Sequence, residues 1–180
     1  MGGTSAYPTA TLESVWAAFR ENERLLRESE AKFEKRWKKI EELTGSWANN
    51  HGAFAEEYFF NAFENGQQTF FGEKFDEIEK NLKSVKPIKD EYDIVLINGK
   101  SIGIIEVKYK AHENDIPIVV KKADTFRVNY PCFSNHQIYL GLASMAFYGE
   151  LEEACINQGI AIIKQVGDTV VINDAHLKMF

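Results

Sequence analysis

The chain has 180 residues, with 21 Lys+Arg against 27 Asp+Glu and a formal net charge of −6. That balance excludes a protein that grips nucleic acid through bulk positive charge, and 44% hydrophobic with 13% aromatic residues excludes wholesale disorder. No run reaches the roughly 20 apolar residues of a bilayer span, and "MGGTSAYPTATLESVW" has neither the basic start nor the apolar stretch of a secretory leader. Cys132 and Cys155 lie outside any metal spacing, and His51, His112, His136 and His176 are too scattered for a zinc motif, so the composition predicts a cytoplasmic protein with reduced thiols.

Residues 1–44 read as a helical arm. Leu12, Phe19, Leu26, Phe33 and Ile40 recur at every seventh position, with Val15 and Leu43 at the intervening core spacing. This heptad pattern predicts a helix over 12–44 that meets another helix, in a hairpin or in a coiled-coil homodimer. The other seam positions, Asn22, Ser29 and Arg36, are polar, and Gly45 supplies a stop. Acidic and basic residues balance within 12–44, so the whole net charge of −6 belongs to the rest of the chain.

Residues 45–180 read as one α/β domain. A helix with apolar Trp47, Ala53, Phe54, Tyr58, Phe60 and Phe63 ends near Asn65-Gly66 and carries two adjacent glutamates, Glu56 and Glu57. A strand follows around Phe75–Leu82, then a strand pair at 92–97 and 101–109 joined at Asn98-Gly99. Next comes a helix begun by Asp115 and closed by Pro131. A buried strand, "HQIYLGLAS", precedes a helix that ends at Gly159, and a hairpin turning at Gly167-Asp168 completes the chain. Strands alternating with helices predict a mixed β-sheet flanked by helices.

The stretch "EYDIVLINGKSIGIIEVKYK" sets three charges, Asp93, Glu106 and Lys108, inside two otherwise apolar strands. A two-residue type I′ turn at Asn98-Gly99 pairs Asp93 with Ile104 and makes Glu106 its diagonal neighbour on one face. Lys108 shares that face, while Ile94, Leu96, Ile105 and Val107 fill the other. Two carboxylates whose β-carbons lie about 7 Å apart or less can share a hard divalent cation such as Mg²⁺ or Mn²⁺, with the Val107 carbonyl as a further ligand. A lysine beside them can hold an attacking water or offset charge on a phosphate. The plainer account is an ion pair at a sheet end, partly solvated and worth little.

These residues resemble the PD-(D/E)XK nuclease superfamily. Asp93 matches its first aspartate, Glu106-Val107-Lys108 its acidic-x-lysine triplet, and Glu56 or Glu57 the glutamate on its preceding helix, although Tyr92 stands where the motif has proline. "IYLGLASMAF" and the triplet strand also resemble small bacterial proteins that join a helical arm to such a domain. The resemblance covers residues 45–180. It implies a restriction-endonuclease-like core and a Mg²⁺- or Mn²⁺-dependent nuclease acting on DNA. Asp93, Glu106 and Glu56 would hold metal, and Lys108 would be the catalytic lysine.

Glu56 is preferred to Glu57 because Gly52, one turn earlier, would let the helix approach the sheet. Lys121, Lys122 and Arg127 are expected on a solvated helix face, Tyr109 in the core and His51 as a cap or surface residue. Gln137 is expected at the metal end of its strand, with His136 facing away. The competing expectation is an inactive nuclease fold that acts in assembly or protein interaction through its arm.

Overall fold

The computed structural model describes residues 11–65, 69–70 and 72–180, without the side chains of 30, 33, 36–49 and 69. The chain forms two compact units, Met1–Ala48 and Asn49–Phe180. Helix α1, Leu12–Asn65, enters both. It starts where Thr11 and Ser14 exchange backbone-to-hydroxyl bonds of 3.0 and 3.3 Å, satisfying amides that a helix start leaves open. The expected stop at Gly45 does not occur. A glycine inside a helix costs only about 1 kcal/mol, and no proline follows to enforce the break. In the first unit Arg24 bridges Glu21 and Glu28, both at 2.6 Å, one turn away on either side.

After α1, β1 (Thr69–Phe70) and β2 (Glu73–Lys74) form a small hairpin. The main sheet has six strands in sequence order: β3 (Glu77–Ser84), β4 (Asp90–Ile97), β5 (Ser101–Lys110), β6 (Gln137–Ala146), β7 (Ala161–Val166) and β8 (Thr169–Asn173). β3–β4, β4–β5 and β7–β8 pair antiparallel, whereas β5–β6 and β6–β7 are parallel. The parallel steps are bridged by α2 (Ile116–Asn129) and α3 (Gly149–Gln158).

Both crossovers leave their helix on one face, as a common hand requires. There Ile116, Val119, Ala123 and Phe126 of α2 and Leu151 and Cys155 of α3 pack on Val95, Ile104, Leu140 and Ile162. On the opposite face Ala55, Phe59 and Phe63 of α1, with Phe70 and Phe75, cover Ile94, Leu96, Ile105 and Val107. The expected α/β order, a mixed sheet flanked by helices, is therefore the observed one. The inward stripe of α1 differs from the expected set. Residues 55, 59 and 63 repeat at helical spacing and are buried, while Ala53 and Phe54 are exposed.

α3 ends as expected at Gly159, whose φ of 72° suits glycine. Its neighbour's amide, Ile160 N, donates to Cys155 O at 3.0 Å. Asp115 does precede α2, but its carboxylate accepts the His112 amide at 2.8 Å instead of one from α2.

The β4–β5 turn departs from the expected two-residue form. β4 ends at Ile97 and β5 begins at Ser101, so the loop is Asn98–Lys100, closed by the Asn98 amide donating to the Ser101 carbonyl at 3.0 Å. The Asn98 side chain shapes it, its Oδ1 accepting the Lys100 and Ser101 amides at 2.9 and 2.7 Å. Such a side-chain turn competes with the tight form that Asn-Gly favours. The pairing shifts by two residues, to Ile94–Ile105. A shift of two preserves every side chain's face, which is why the charged trio still converges.

Candidate functional site

Asp93 lies at a break in both of its ladders. Pairing with β5 ends at Ile94–Ile105, and pairing with β3 passes from Lys80–Ile94 to Leu82–Tyr92 across Asn81, whose φ is 51°. The register extended by one step sets Asp93 opposite Glu106 instead of Ile104. In place of a backbone pair, Asp93 Oδ2 accepts the Val107 amide at 2.8 Å. The side chain thus takes over a donor the ladder leaves open.

Glu106 is 5% exposed and both of its oxygens face ammonium groups. Lys108 Nζ reaches Oε1 at 2.7 Å and Lys122 Nζ reaches Oε2 at 3.3 Å. Among the described residues, no ammonium pairs with Asp93 in this way. Burial, then the charge of Glu106, raise its pKa to about 7 against the pull of the Val107 amide and Lys108, and Glu56 adds to the rise. For Lys108, burial works toward a lower pKa, but its bond to Glu106 and the charges of Glu106, Asp93 and Asp115 outweigh it and the net shift is upward.

The two helix glutamates separate cleanly. Glu57 turns to β3 and pairs with Lys80, whereas the charge of Glu56 bears on Asp93. Contrary to expectation, Gly52 does not bring the helix close to the sheet. A Cβ added at Gly52 would meet nothing within 4 Å, so Gly52 marks open space where the inward stripe of α1 continues past its packed residues.

Several expected positions are corrected. Lys122 is not on a solvated face but is 8% exposed, held by Asp90 Oδ1 at 3.2 Å, the Glu91 carbonyl and Glu106. Lys121 is exposed, as expected, whereas Arg127 binds the carbonyls of Ser134 and Phe180. Gln137 pairs with Ser101, while Lys108 pairs with Ser144. Because β5 and β6 run parallel, Gln137 lies at the opposite end of the sheet from the site. His51 sits inside α1, not at its start, and stacks on exposed Tyr109 with ring centroids 4.2 Å apart.

Ser144, absent from the expected set, holds the strand exit by accepting the Ala111 amide at 3.0 Å. Just past that exit lies a cavity of about 360 Å³ lined by Ala111, His112, Glu113, Asn114, Tyr148 and Leu151. The sequence did carry a signal for Lys122. It falls one turn from Val119 and one from Phe126, at the edge of the buried stripe of α2.

Among the described residues, no three His, Cys, Asp or Glu side chains form a ready metal cage, since Glu106 is turned onto its lysines and Asp93 onto an amide. The donor chemistry nevertheless suits a hard divalent ion. Two carboxylates and a backbone carbonyl are oxygen donors, and Asp93 has an anionic form that the protein alone leaves undercompensated.

No protein-family model matches the sequence, and no curated protein matches it. Among solved structures, the chain is similar to Can2 from Sulfobacillus thermosulfidooxidans, solved in complex with cyclic tetra-adenylate. The TM-score is 0.44 and the identity 18%, over 62% of this chain and 31% of that one. The match thus spans less than a third of that protein's length. Among the described residues, no helix is long and apolar enough to cross a membrane.

Proposed function

We propose that residues 49–180 form a metal-dependent nuclease of the PD-(D/E)XK type that hydrolyses phosphodiester bonds in DNA. The observation that supports it is the convergence of Asp93, Glu106 and the charge of Glu56 at one strand end, with Lys108 beside them. Asp93 and Glu106 would hold the cation through carboxylate oxygens, with the Val107 carbonyl and Glu56 as further oxygen donors. A bound Mg²⁺ or Mn²⁺ would supply charge neutralisation at the phosphate and a more acidic water. Lys108, partly exposed, directs its ammonium to the attacking water and to the charge that grows on the phosphate oxygens. Asp93 would hold the cation in its ionised form, which would couple binding to pH.

The test is cleavage of supercoiled, linear, nicked and single-stranded DNA and of RNA with Mg²⁺ or Mn²⁺, with wild type beside Asp93→Ala and Lys108→Ala. Expected is metal-dependent cutting of DNA that each substitution lowers by about a thousandfold or more, a loss typical of removing a group from a preorganised centre. Cutting that survives both substitutions would assign it to another protein. No cutting by wild type would reject the nuclease reading.

A second reading, assembly through α1, has its own support. Leu12, Phe19 and Leu26 are 78%, 65% and 64% exposed at heptad spacing, and a second copy of the chain would bury them. Light scattering after size exclusion should then give a dimer of the 20.6 kDa chain. Replacing all three by Ser should give a monomer. A wild-type monomer at high concentration would end this reading.

A further inference from the structure

The nuclease reading assigns Lys108 and leaves Lys122 unused, although Lys122 is the more deeply buried of the two ammonium groups on Glu106. Its side chain is 9% exposed against 35% for Lys108. It is also the more firmly held. Three acceptors surround it, Asp90 Oδ1, the Glu91 carbonyl and Glu106 Oε2, enough to satisfy all three ammonium protons. The first of these acceptors is itself anchored. Asp90 Oδ2 accepts from Thr125 Oγ1, Tyr92 OH donates to the same hydroxyl at 3.1 Å, and Asn129 Nδ2 donates to Tyr92 OH at 3.0 Å. Asn129 Oδ1 in turn accepts the Ile88 amide at 2.9 Å. A polar chain therefore runs from Glu106 through α2 to the β3–β4 connection. Lys108 has no comparable support. Among the described residues its one hydrogen bond is to Glu106 Oε1 at 2.7 Å, and its stem reaches solvent.

A buried ion pair is weak evidence for stability, because desolvation offsets most of the attraction. A buried lysine locked on the second oxygen of a candidate ligand calls for another account. Resting on the metal-dependent reading above, we propose that Lys122 is a positioning residue of this centre. It is the fixed counter-ion that holds the Oε2 edge of Glu106, while Lys108 is the exchangeable one. The Oε1 edge, covered by Lys108, is then the edge Glu106 can hand to a cation, and Lys108 is freed toward water and phosphate in the same movement.

The consequence separates this role from a merely structural one. Lys122 puts a positive charge beside the carboxylates that would bind the cation, so it weakens cation affinity. It also fixes the Glu106 carboxylate, so it supports turnover. The test measures Mn²⁺ binding by calorimetry with the metal alone, and separately single-turnover DNA cleavage at saturating Mn²⁺. The proteins compared are wild type, Lys122→Met, Lys122→Arg and Lys108→Met, each checked by thermal melting.

Expected for Lys122→Met is Mn²⁺ binding about tenfold tighter together with cleavage about tenfold or more slower, and Lys122→Arg should recover most of the turnover. Lys108→Met should also bind Mn²⁺ more tightly. Weaker or unchanged binding by Lys122→Met, in a variant that still melts cooperatively, would overturn the proposal. So would a parallel loss of melting temperature, binding and cleavage. Wild type that binds Mn²⁺ but cuts nothing would reject the nuclease reading alone and leave the affinity comparison to decide the role of Lys122. Wild type that binds no Mn²⁺ would overturn both.

Discussion

Asp93→Asn should make the metal-free protein more stable, and more so as pH rises. The folded-state pKa of Asp93 is about 7 against an ordinary 3.8. Between those values the folded chain holds a proton that the unfolded chain has released, so stability falls as pH rises through that window. Above pH 7 the full cost is present, on the order of 4 kcal/mol at about 1.4 kcal/mol per unit. Asparagine has no charge to bury and its Oδ1 still accepts the Val107 amide. The gain in urea midpoint should be near zero at pH 4 and largest at pH 8, with chelator present. Adding Mg²⁺ or Mn²⁺ should raise the wild-type midpoint and leave that of Asp93→Asn nearly unchanged, because a ligand of the folded state alone stabilises by mass action. A variant no more stable than wild type at pH 8 would show that Asp93 carries its charge there at little cost.

Much of this was legible in the sequence because period and face survive local error. The alternation of β5 identifies Glu106 and Lys108 as one face whatever the turn does. The turn differs from the expected one because Asn98 spends its side chain on the Lys100 and Ser101 amides, and Asn-Gly alone does not reveal that. The error of two residues left the trio together, where an error of one would have separated it. Gly45 misled for a related reason, since a stop signal is only a preference of about 1 kcal/mol that a long helix can override. Lys122 was hidden more deeply. Its partners Asp90 and Glu106 lie on two different strands, and a lysine on a helix is solvated unless tertiary packing brings such partners to it. Gln137 failed for want of topology, because which end of β6 meets the site depends on whether β5 and β6 run parallel.

Glu106→Gln should do the opposite of Asp93→Asn, although both exchange a carboxylate for its amide in the same centre. Glu106 balances two ammonium groups, at 2.7 and 3.3 Å, and is itself 5% exposed. Removing its charge leaves Lys122 buried with less compensation, and breaking a buried pair from one side costs about 3 kcal/mol or more. Lys122 keeps Asp90 and the Glu91 carbonyl, and Lys108 can turn to solvent, which holds the loss toward the lower end. The upward shift of both lysine pKa values, in which burial is outweighed by Glu106 together with Asp93 and, for Lys122, Asp90, sets the upper end of the pH dependence. A base whose folded pKa is raised contributes stability below its unfolded value, and that contribution is lost as pH rises through the folded one. The deficit of Glu106→Gln should therefore narrow as pH rises through neutral, because losing the Glu106 charge eases the ionisation of Asp93, and narrow again only above the ordinary lysine value of 10.5. Urea melts at pH 7.5 with chelator should place the three proteins in the order Asp93→Asn, wild type, Glu106→Gln. The double variant should be less stable than the two changes added together predict, because in Glu106→Gln an ionised Asp93 is the remaining carboxylate beside Lys108. A Glu106→Gln protein as stable as wild type would mean that the two lysines do not depend on Glu106 for their compensation.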